Sequence, residues 1–111
     1  MYIENYQAES TRTMKFDDNV VTHCCMGISG EAGEVIDLIK KSIFYGKELD
    51  KDKVSEEIGD IMFYIVNLAT ALNLSMSDIL RGNVEKLRKR YPNGFSEEDA
   101  IKRVDVNGKD S

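Results

Sequence analysis

Two short stretches of the chain each place two acidic residues three positions apart beside an apolar helical pattern. The first, GEAGEVIDLIKK, contains Glu31 and Glu34, and the second, EEIGDIMFY, contains Glu57 and Asp60. Residues three apart on a helix share one face, with Cβ atoms about 5 to 6 Å apart, so each pair can approach a single point. Like charges at this spacing cost a helix about 0.2 to 0.5 kcal/mol, and partial burial adds to that cost. A bound cation would remove it.

A divalent metal is the simplest common explanation of the two acidic pairs. If the apolar stripes of the two helices face each other, four carboxylates gather at one seam. Clustered carboxylate oxygens suit a hard ion, and Mg²⁺ characteristically takes a few carboxylates, keeps several waters and shares the phosphates of a substrate. A single Glu-x-x-Glu is usually a solvated acidic face. Two such pairs on consecutive apolar helices, each beside a glycine, favour a metal site.

A basic cluster follows the acidic pairs in the segment NVEKLRKRYP. Asn83, Lys86 and Arg90 are spaced three and four apart, so they share one helical face and can hold phosphate oxygens through charge-assisted hydrogen bonds. Cations near a helix C-terminus also complement the helix dipole, which accounts for some of this charge. Acidic groups for metal together with basic groups for phosphate indicate nucleotide chemistry.

Helical patterns fill most of the chain, strand signals are nearly absent, and the only proline is Pro92. The first helix is predicted over residues 2–13, and the second runs from a cap at Asp17 or Asp18 to about residue 45, with a stop at Gly46. The third runs from a cap at Asp50 to about residue 72. The fourth runs from Ser75 to about residue 91, and a short fifth helix follows Ser96. The predicted fold is therefore all-α, an antiparallel bundle of four main helices plus a short terminal helix. Residues 1–105 form the predicted single domain and 106–111 a frayed tail.

Apolar stripes along the second and third helices predict that these two helices pack on each other. The stripes are Ile28, Ala32, Val35, Ile39 and Ile43, and then Val54, Ile58, Ile61, Met62, Ile65, Ala69 and Leu72. Glycines at 27, 30 and 33 weaken a helix, so their presence needs a reason. Either a backbone or ligand approaches the helix closely at these positions, or the helices simply pack tightly there. Helices this apolar exceed what one small chain can cover, so a dimer is expected.

Composition excludes several classes of function. The chain has 111 residues, 41% of them hydrophobic and 32% charged, with a net charge of -5, which disfavours a binder of nucleic-acid backbones. The longest apolar run, from Ile61 to Leu72, falls short of the roughly 20 residues that span a bilayer. The N-terminus lacks a secretory pattern, so a cytoplasmic location is expected. The segment HCC is disfavoured as a zinc site, since three consecutive helical side chains do not converge on one ion.

These motifs resemble the MazG-like nucleoside triphosphate pyrophosphohydrolases, an all-α family with the pattern Glu-x-x-Glu followed by Glu-x-x-Asp. Here the pattern reads EAGE and EIGD, and the likeness extends to NYQAESTRT, KKSIFYGKELD, NVEKLRKRYPNGF and an arginine near the end. The resemblance covers about residues 5–103. It implies that a (d)NTP is hydrolysed to the (d)NMP and pyrophosphate, in a role such as nucleotide-pool housecleaning.

The resemblance also implies roles for individual residues. Mg²⁺, with Mn²⁺ as a substitute, would be held by the four acidic residues Glu31, Glu34, Glu57 and Asp60. The substrate would be held by the polar residues Asn83, Lys86 and Arg90. Tyr64 would lie near the base or sugar. Family members form homodimers or homotetramers. The segment HCCMGISGE departs from the small apolar residues expected before the acidic pair and tryptophan is absent, so the base preference stays open.

Some alternatives remain at this point. Either Glu31 or Glu34 could be the catalytic general base that accepts the proton of the attacking water. A non-catalytic, metal-dependent nucleotide-binding or assembly module would bind nucleotide without turning it over. A purely structural bundle with solvated acids would have a stability insensitive to Mg²⁺.

Overall fold

The computed structural model describes residues 1–102, which are helical with no strand. The elements are α1 (Ile3–Ser10), a 3₁₀ turn (Thr11–Thr13), α2 (Val20–Tyr45), α3 (Lys51–Ala71), α4 (Met76–Arg90) and α5 (Glu97–Lys102). The predicted all-α class is confirmed, with four main helices and a short terminal one. The chain divides into two compact units, Met1–Ser75 and Met76–Ser111, the second described through Lys102. One domain over 1–105 stays a prediction, and the tail 106–111 lies outside the described residues.

The turn between α2 and α3 follows the local sequence signals. Gly46 ends α2 in the left-handed conformation, at φ 66°, which glycine adopts without a steric penalty. Asp50 opens α3, because its Oδ1 accepts a hydrogen bond of 3.0 Å from the backbone N–H of Lys53. Both predicted boundaries are confirmed.

The start of α2 differs from the prediction. The helix begins at Val20, and Asn19 occupies the cap position without a side-chain cap bond. Asp17 instead accepts a hydrogen bond of 2.9 Å from the backbone N–H of Asn19, which closes the turn before the helix. An aspartate that bonds two residues ahead forms a turn and delays the helix, so the cap predicted at Asp17 or Asp18 is wrong.

In the first unit, α2 and α3 pack together as a hairpin and α1 lies against α3. The buried apolar side chains are Met14, Cys24, Val66 and Ala69. Gln7 Nε2 of α1 donates hydrogen bonds to Thr70 Oγ1 at 3.0 Å and to the Leu74 carbonyl at 2.9 Å. These bonds fix α1 to the C-terminal end of α3.

The buried face of α2 is rotated from the predicted stripe. Ile39 is 37% exposed and Ile43 is 68% exposed, whereas Glu31 and Leu38 are half-buried. On α3, Ile58 is 57% exposed while Glu57 beside it is 9% exposed. The helices therefore meet along the edge of each stripe that carries the acidic residues. The predicted core positions Ile39, Ile43 and Ile58 are wrong, and so is Leu72, which is 50% exposed at the end of α3.

Gly27 accounts for this rotation. A Cβ atom built at Gly27 would lie 2.5 Å from three ring atoms of Tyr64, so the tyrosine ring rests directly on the backbone of α2. Apart from the adjacent residues and the nearby backbone of α2 itself, no atom of the described residues lies within 4 Å of an equivalent Cβ at Gly30 or Gly33. The close approach of a side chain therefore explains the glycine at position 27. Within the described residues it does not explain Gly30 or Gly33.

The structure predicts opposite effects for two substitutions of glycine by alanine. Gly27→Ala should destabilise the fold, because displacing the Tyr64 ring costs about 1 to 3 kcal/mol and exceeds the roughly 1 kcal/mol that alanine contributes to a helix. Gly33→Ala meets open space and should be neutral or stabilising. Urea unfolding of both variants measures the difference. A Gly27→Ala protein as stable as Gly33→Ala would contradict the close packing of Tyr64.

The second unit consists of α4 and α5 and the turn that joins them. Helix α4 starts directly after Ser75, and α5 is capped by Ser96, whose Oγ accepts a bond of 3.1 Å from the backbone N–H of Asp99. Tyr91 and Phe95 pack in the turn with ring centroids 5.4 Å apart. Over residues 1–102, no single helix is long and apolar enough to cross a membrane, and only α3 and α4 taken together meet that requirement of length and composition.

Candidate metal centre

Three carboxylates meet at the middle of the α2–α3 hairpin. Glu31 of α2 and Glu57 and Asp60 of α3 each offer one oxygen atom, and these three atoms all lie within 4.8 Å of one another. The hairpin produces this convergence because α2 and α3 run in opposite directions. Gly27 meets Tyr64, and one turn farther along α2 Glu31 meets Asp60. We call Glu31, Glu57 and Asp60 the acidic cluster.

The acidic cluster binds a proton at a pH at which isolated carboxyl groups are ionised. Hydrogen bonding to Glu31 and then to Glu34, together with desolvation and the charge of both neighbours, raises the pKa of Glu57 to about 8. Carboxylates this close cannot all ionise without strong repulsion, so one of them binds a proton. The metal-free cluster therefore carries a shared proton near neutral pH.

Glu34 lies beside the acidic cluster and outside the group of three oxygens. Its pKa is lowered by side-chain hydrogen bonding with Glu57 first and with Glu31 second, and the positive charge of Lys53 adds a smaller contribution. Glu34 thus stays ionised next to the protonated Glu57. The structure brings all four sequence-predicted acids together, three of them most closely.

The oxygens of the cluster fit a divalent ion. Glu31 Oε2 and Glu57 Oε2 are buried and have no hydrogen-bond partner in the described part of the chain. Buried polar atoms are nearly always satisfied, and an unsatisfied carboxylate oxygen costs free energy. Hard cations with carboxylate ligands, such as Mg²⁺ or Mn²⁺, would satisfy these atoms.

A cavity of about 280 Å³ adjoins the acidic cluster on the side of the α2–α3 turn. It is lined by Glu34, Asp37, Leu38, Lys41, Lys53 and Glu57. The sequence analysis singled out only the two glutamates. Asp37 and Lys41 lie three and seven residues after Glu34, and Lys53 lies four before Glu57, so helical spacing from the acidic residues was the signal that could have found them.

Tyr64 lies on the other side of the acidic cluster, one turn past Asp60. Its ring packs at 5.2 Å from Phe63, edge to face, and at 5.8 Å from His23. The contact with Gly27 fixes the ring against α2. An aromatic group is thus held beside the carboxylates, as the assignment of Tyr64 to the base or sugar requires, and that assignment stays a prediction.

Asn83, Lys86 and Arg90 lie on α4, in the second compact unit. Their spacing places them along one side of that helix, as predicted. Asn83 and Lys86 are exposed, and Arg90 is half-buried. Their contact with a substrate stays a prediction.

The comparisons with known proteins agree with this geometry. Residues 19–95, more than half of the chain, match the family described as the MazG nucleotide pyrophosphohydrolase domain, and the chain belongs to this family. It is also 29% identical over 106 residues to a protein of Mycobacterium phage L5 called Gene 37 protein, in an alignment that covers 85% of this chain and 92% of the phage protein. No solved structure matches.

Proposed function

We propose that this protein is a divalent-metal-dependent nucleoside triphosphate pyrophosphohydrolase that converts a (d)NTP to the (d)NMP and pyrophosphate. The observation that supports this most is the acidic cluster with its two unsatisfied buried oxygens, in a chain that belongs to the MazG family. A solvated acidic face would have neither buried oxygens nor a shared proton. A metal-binding site for nucleotide hydrolysis explains both the buried oxygens and the shared proton.

The residues divide into three groups by their position on the hairpin. Glu31, Glu57 and Asp60 would hold the metal, which when bound neutralises charge on the phosphates and lowers the pKa of a bound water. Glu34 lies beside this cluster, where its carboxylate is hydrogen-bonded with Glu57, and we assign it as the general base. Asn83, Lys86 and Arg90 of α4 would supply positive charge and hydrogen bonds to the phosphates.

The proposed reaction is an in-line displacement at the α-phosphorus. The oxygen of a water molecule forms a bond to the α-phosphorus while Glu34 accepts a proton from that water. The bond from the α-phosphorus to the oxygen that bridges to the β-phosphorus breaks, and its electron pair leaves with pyrophosphate. The products are the monophosphate and pyrophosphate.

A product assay tests this proposal. The protein is incubated with a panel of NTPs and dNTPs, and the products are separated by ion-exchange chromatography. We expect monophosphate and pyrophosphate in equal amounts, no product with EDTA, and no product from Glu34→Gln, whereas Glu56→Gln on the exposed side of α3 should match the wild type. Diphosphate plus phosphate would refute the assigned bond. Metal-dependent binding without any product would indicate the non-catalytic module.

The assembly state is a further part of this proposal. Ile36, Ile43 and Phe44 of α2 are 66%, 68% and 73% exposed. Apolar surface of this kind is typical of an interface between subunits, and a homodimer or homotetramer would cover it. Light scattering would distinguish such an assembly from a single chain of 12.6 kDa.

A further inference from the structure

Helix α1 is too short and too exposed to be stable by itself. Of its eight residues, all within the described part of the chain, Ser10 alone is buried, and Ile3 and Tyr6 are half-buried. Helices shorter than about 12 to 15 residues are marginal in water, and those in proteins are stabilised mainly by packing of an apolar face. Because α1 buries little apolar surface, its stability depends on the hydrogen bonds that join it to α3.

The first of these anchors is the amide of Asn67 on α3. Asn67 is 0% exposed, and its Nδ2 donates hydrogen bonds to the Ser10 carbonyl at 3.2 Å and to the Phe63 carbonyl at 2.9 Å. Ser10 is the last residue of α1, and the last four carbonyls of an α-helix lack the partner that interior carbonyls have. Asn67 therefore caps the C-terminal end of α1 from the neighbouring helix.

The acceptor side of the same amide has no such role. Asn67 Oδ1 is buried and has no hydrogen-bond partner within residues 1–102. A buried acceptor without a partner costs free energy, and an apolar side chain of similar size would avoid that cost. Buried polar groups of this kind can specify one arrangement of packed helices without adding stability. The amide fits that role, because its donor side joins α1 to α3.

The second anchor joins α1 to the chain segment that follows α3. Gln7 Nε2 donates hydrogen bonds to the Leu74 carbonyl at 2.9 Å and to Thr70 Oγ1 at 3.0 Å. Leu74 lies between the end of α3 at Ala71 and the start of α4 at Met76. Helix α1 thus holds the segment through which the chain passes from α3 to α4.

That segment is a turn with one residue in an unfavourable backbone conformation. Asn73 has φ 59°, a left-handed conformation that glycine adopts freely and asparagine at a modest cost. The backbone N–H of Leu74 donates to the Ala69 carbonyl at 2.8 Å, and that of Asn73 to the Thr70 carbonyl at 3.0 Å. Such a turn persists because its surroundings support it, and Gln7 supplies a hydrogen bond from outside the turn.

We propose that α1 is a latch: it is folded only while Asn67 and Gln7 hold it, and its release frees the turn that leads into α4. Helices α2 and α3 pack on each other as a hairpin, so α1 can open without unfolding them. Opening also admits water to Asn67 Oδ1, which lowers the cost of the open state. The latch is a property of the fold and does not depend on the proposed function.

Hydrogen exchange of single amides in the native protein, measured by NMR, tests the latch. Asn67→Leu removes the donor and the unpaired acceptor together, and Gln7→Glu keeps the size of the side chain but replaces its donor by a carboxylate. In each variant we expect exchange of the amides of residues 7–10 and of Leu74 to be about tenfold faster or more, since a carbonyl loses its donor. The amides of residues 57–64 in α3 should exchange no faster than in the wild type.

Ala8→Glu is the matched control for Gln7→Glu. It adds the same charge at an exposed position of α1 and should leave exchange in α1 within about twofold of the wild type. Unchanged exchange of residues 7–10 in either anchor variant, or equal acceleration by Ala8→Glu, would overturn the latch. Equal acceleration in α1 and in residues 57–64 would overturn it as well, because α1 and the hairpin would then open together. An unchanged Leu74 amide beside a released α1 would refute the link to the turn.

Discussion

Asp60→Asn is expected to lower kcat/KM for the preferred NTP by about a thousandfold, since a catalytic metal contributes several kcal/mol and each 1.4 kcal/mol is a factor of ten. The substitution keeps the size of the side chain and removes one of the three negative charges that would hold the ion. It should not lower the thermal stability of the metal-free protein, because it relieves repulsion within the acidic cluster. Steady-state kinetics with saturating Mg²⁺ and a thermal melt in EDTA measure the two effects.

Glu56→Gln is the matched control for this experiment. Glu56 precedes Glu57 on α3, is exposed, and points about 100° away from it around the helix. The control removes the same charge and should leave turnover within about twofold of the wild type, as is usual for surface substitutions. If Asp60→Asn kept more than about a tenth of the activity, Asp60 would not be a metal ligand.

The metal-free protein is expected to lose stability as the pH rises from about 5 to about 8. The pKa of Glu57 is raised to about 8 in the folded chain, above its ordinary value of 4.5. Between these values the folded state binds a proton that the unfolded state has released, so the free energy of unfolding falls with increasing pH. The lowered pKa of Glu34 has the opposite effect on stability. The stabilisation from the ionised Glu34 is lost as the pH falls below the ordinary pKa of a glutamate, so it does not change over the interval from about 5 to about 8.

Thermal melts in EDTA across this pH range test the shared proton. Glu57→Gln is permanently uncharged and should flatten the fall in Tm, whereas Glu56→Gln should retain it. Mg²⁺ should raise the Tm of the wild type most at the alkaline end, where the cluster is fully ionised and binds the ion best. A Tm that rises with pH over this interval, or a slope that survives in Glu57→Gln, would contradict a proton held at Glu57.

The sequence predicted the helices and the meeting of the acidic pairs because both depend on local patterns. Gly46 and Asp50 fix the α2–α3 turn through backbone conformation and a cap bond, which residue type alone signals. Glu31, Glu34, Glu57 and Asp60 come together because an antiparallel hairpin with matched spacing leaves them few other positions. Fold class and this part of the candidate site were therefore predictable.

The rotation of the hairpin was not predictable in the same way. A hydrophobic stripe indicates which side of a helix is apolar, but the line of contact also depends on where two backbones approach most closely. The ring of Tyr64 over Gly27 sets that line, moves Ile39 and Ile43 toward solvent and turns the glutamates inward. Helical spacing from Glu34 and Glu57 could have marked Lys41 and Lys53 as candidates, but the cavity that they line is defined only once that line of contact is known.

All four acidic residues of the candidate site belong to a single helical hairpin joined by the short segment that follows Gly46. Contacts between such neighbouring helices are close in sequence, and low contact order accompanies fast folding. The arrangement of these four acidic residues is therefore encoded within one supersecondary motif, which can form early during folding and does not have to wait for distant parts of the chain.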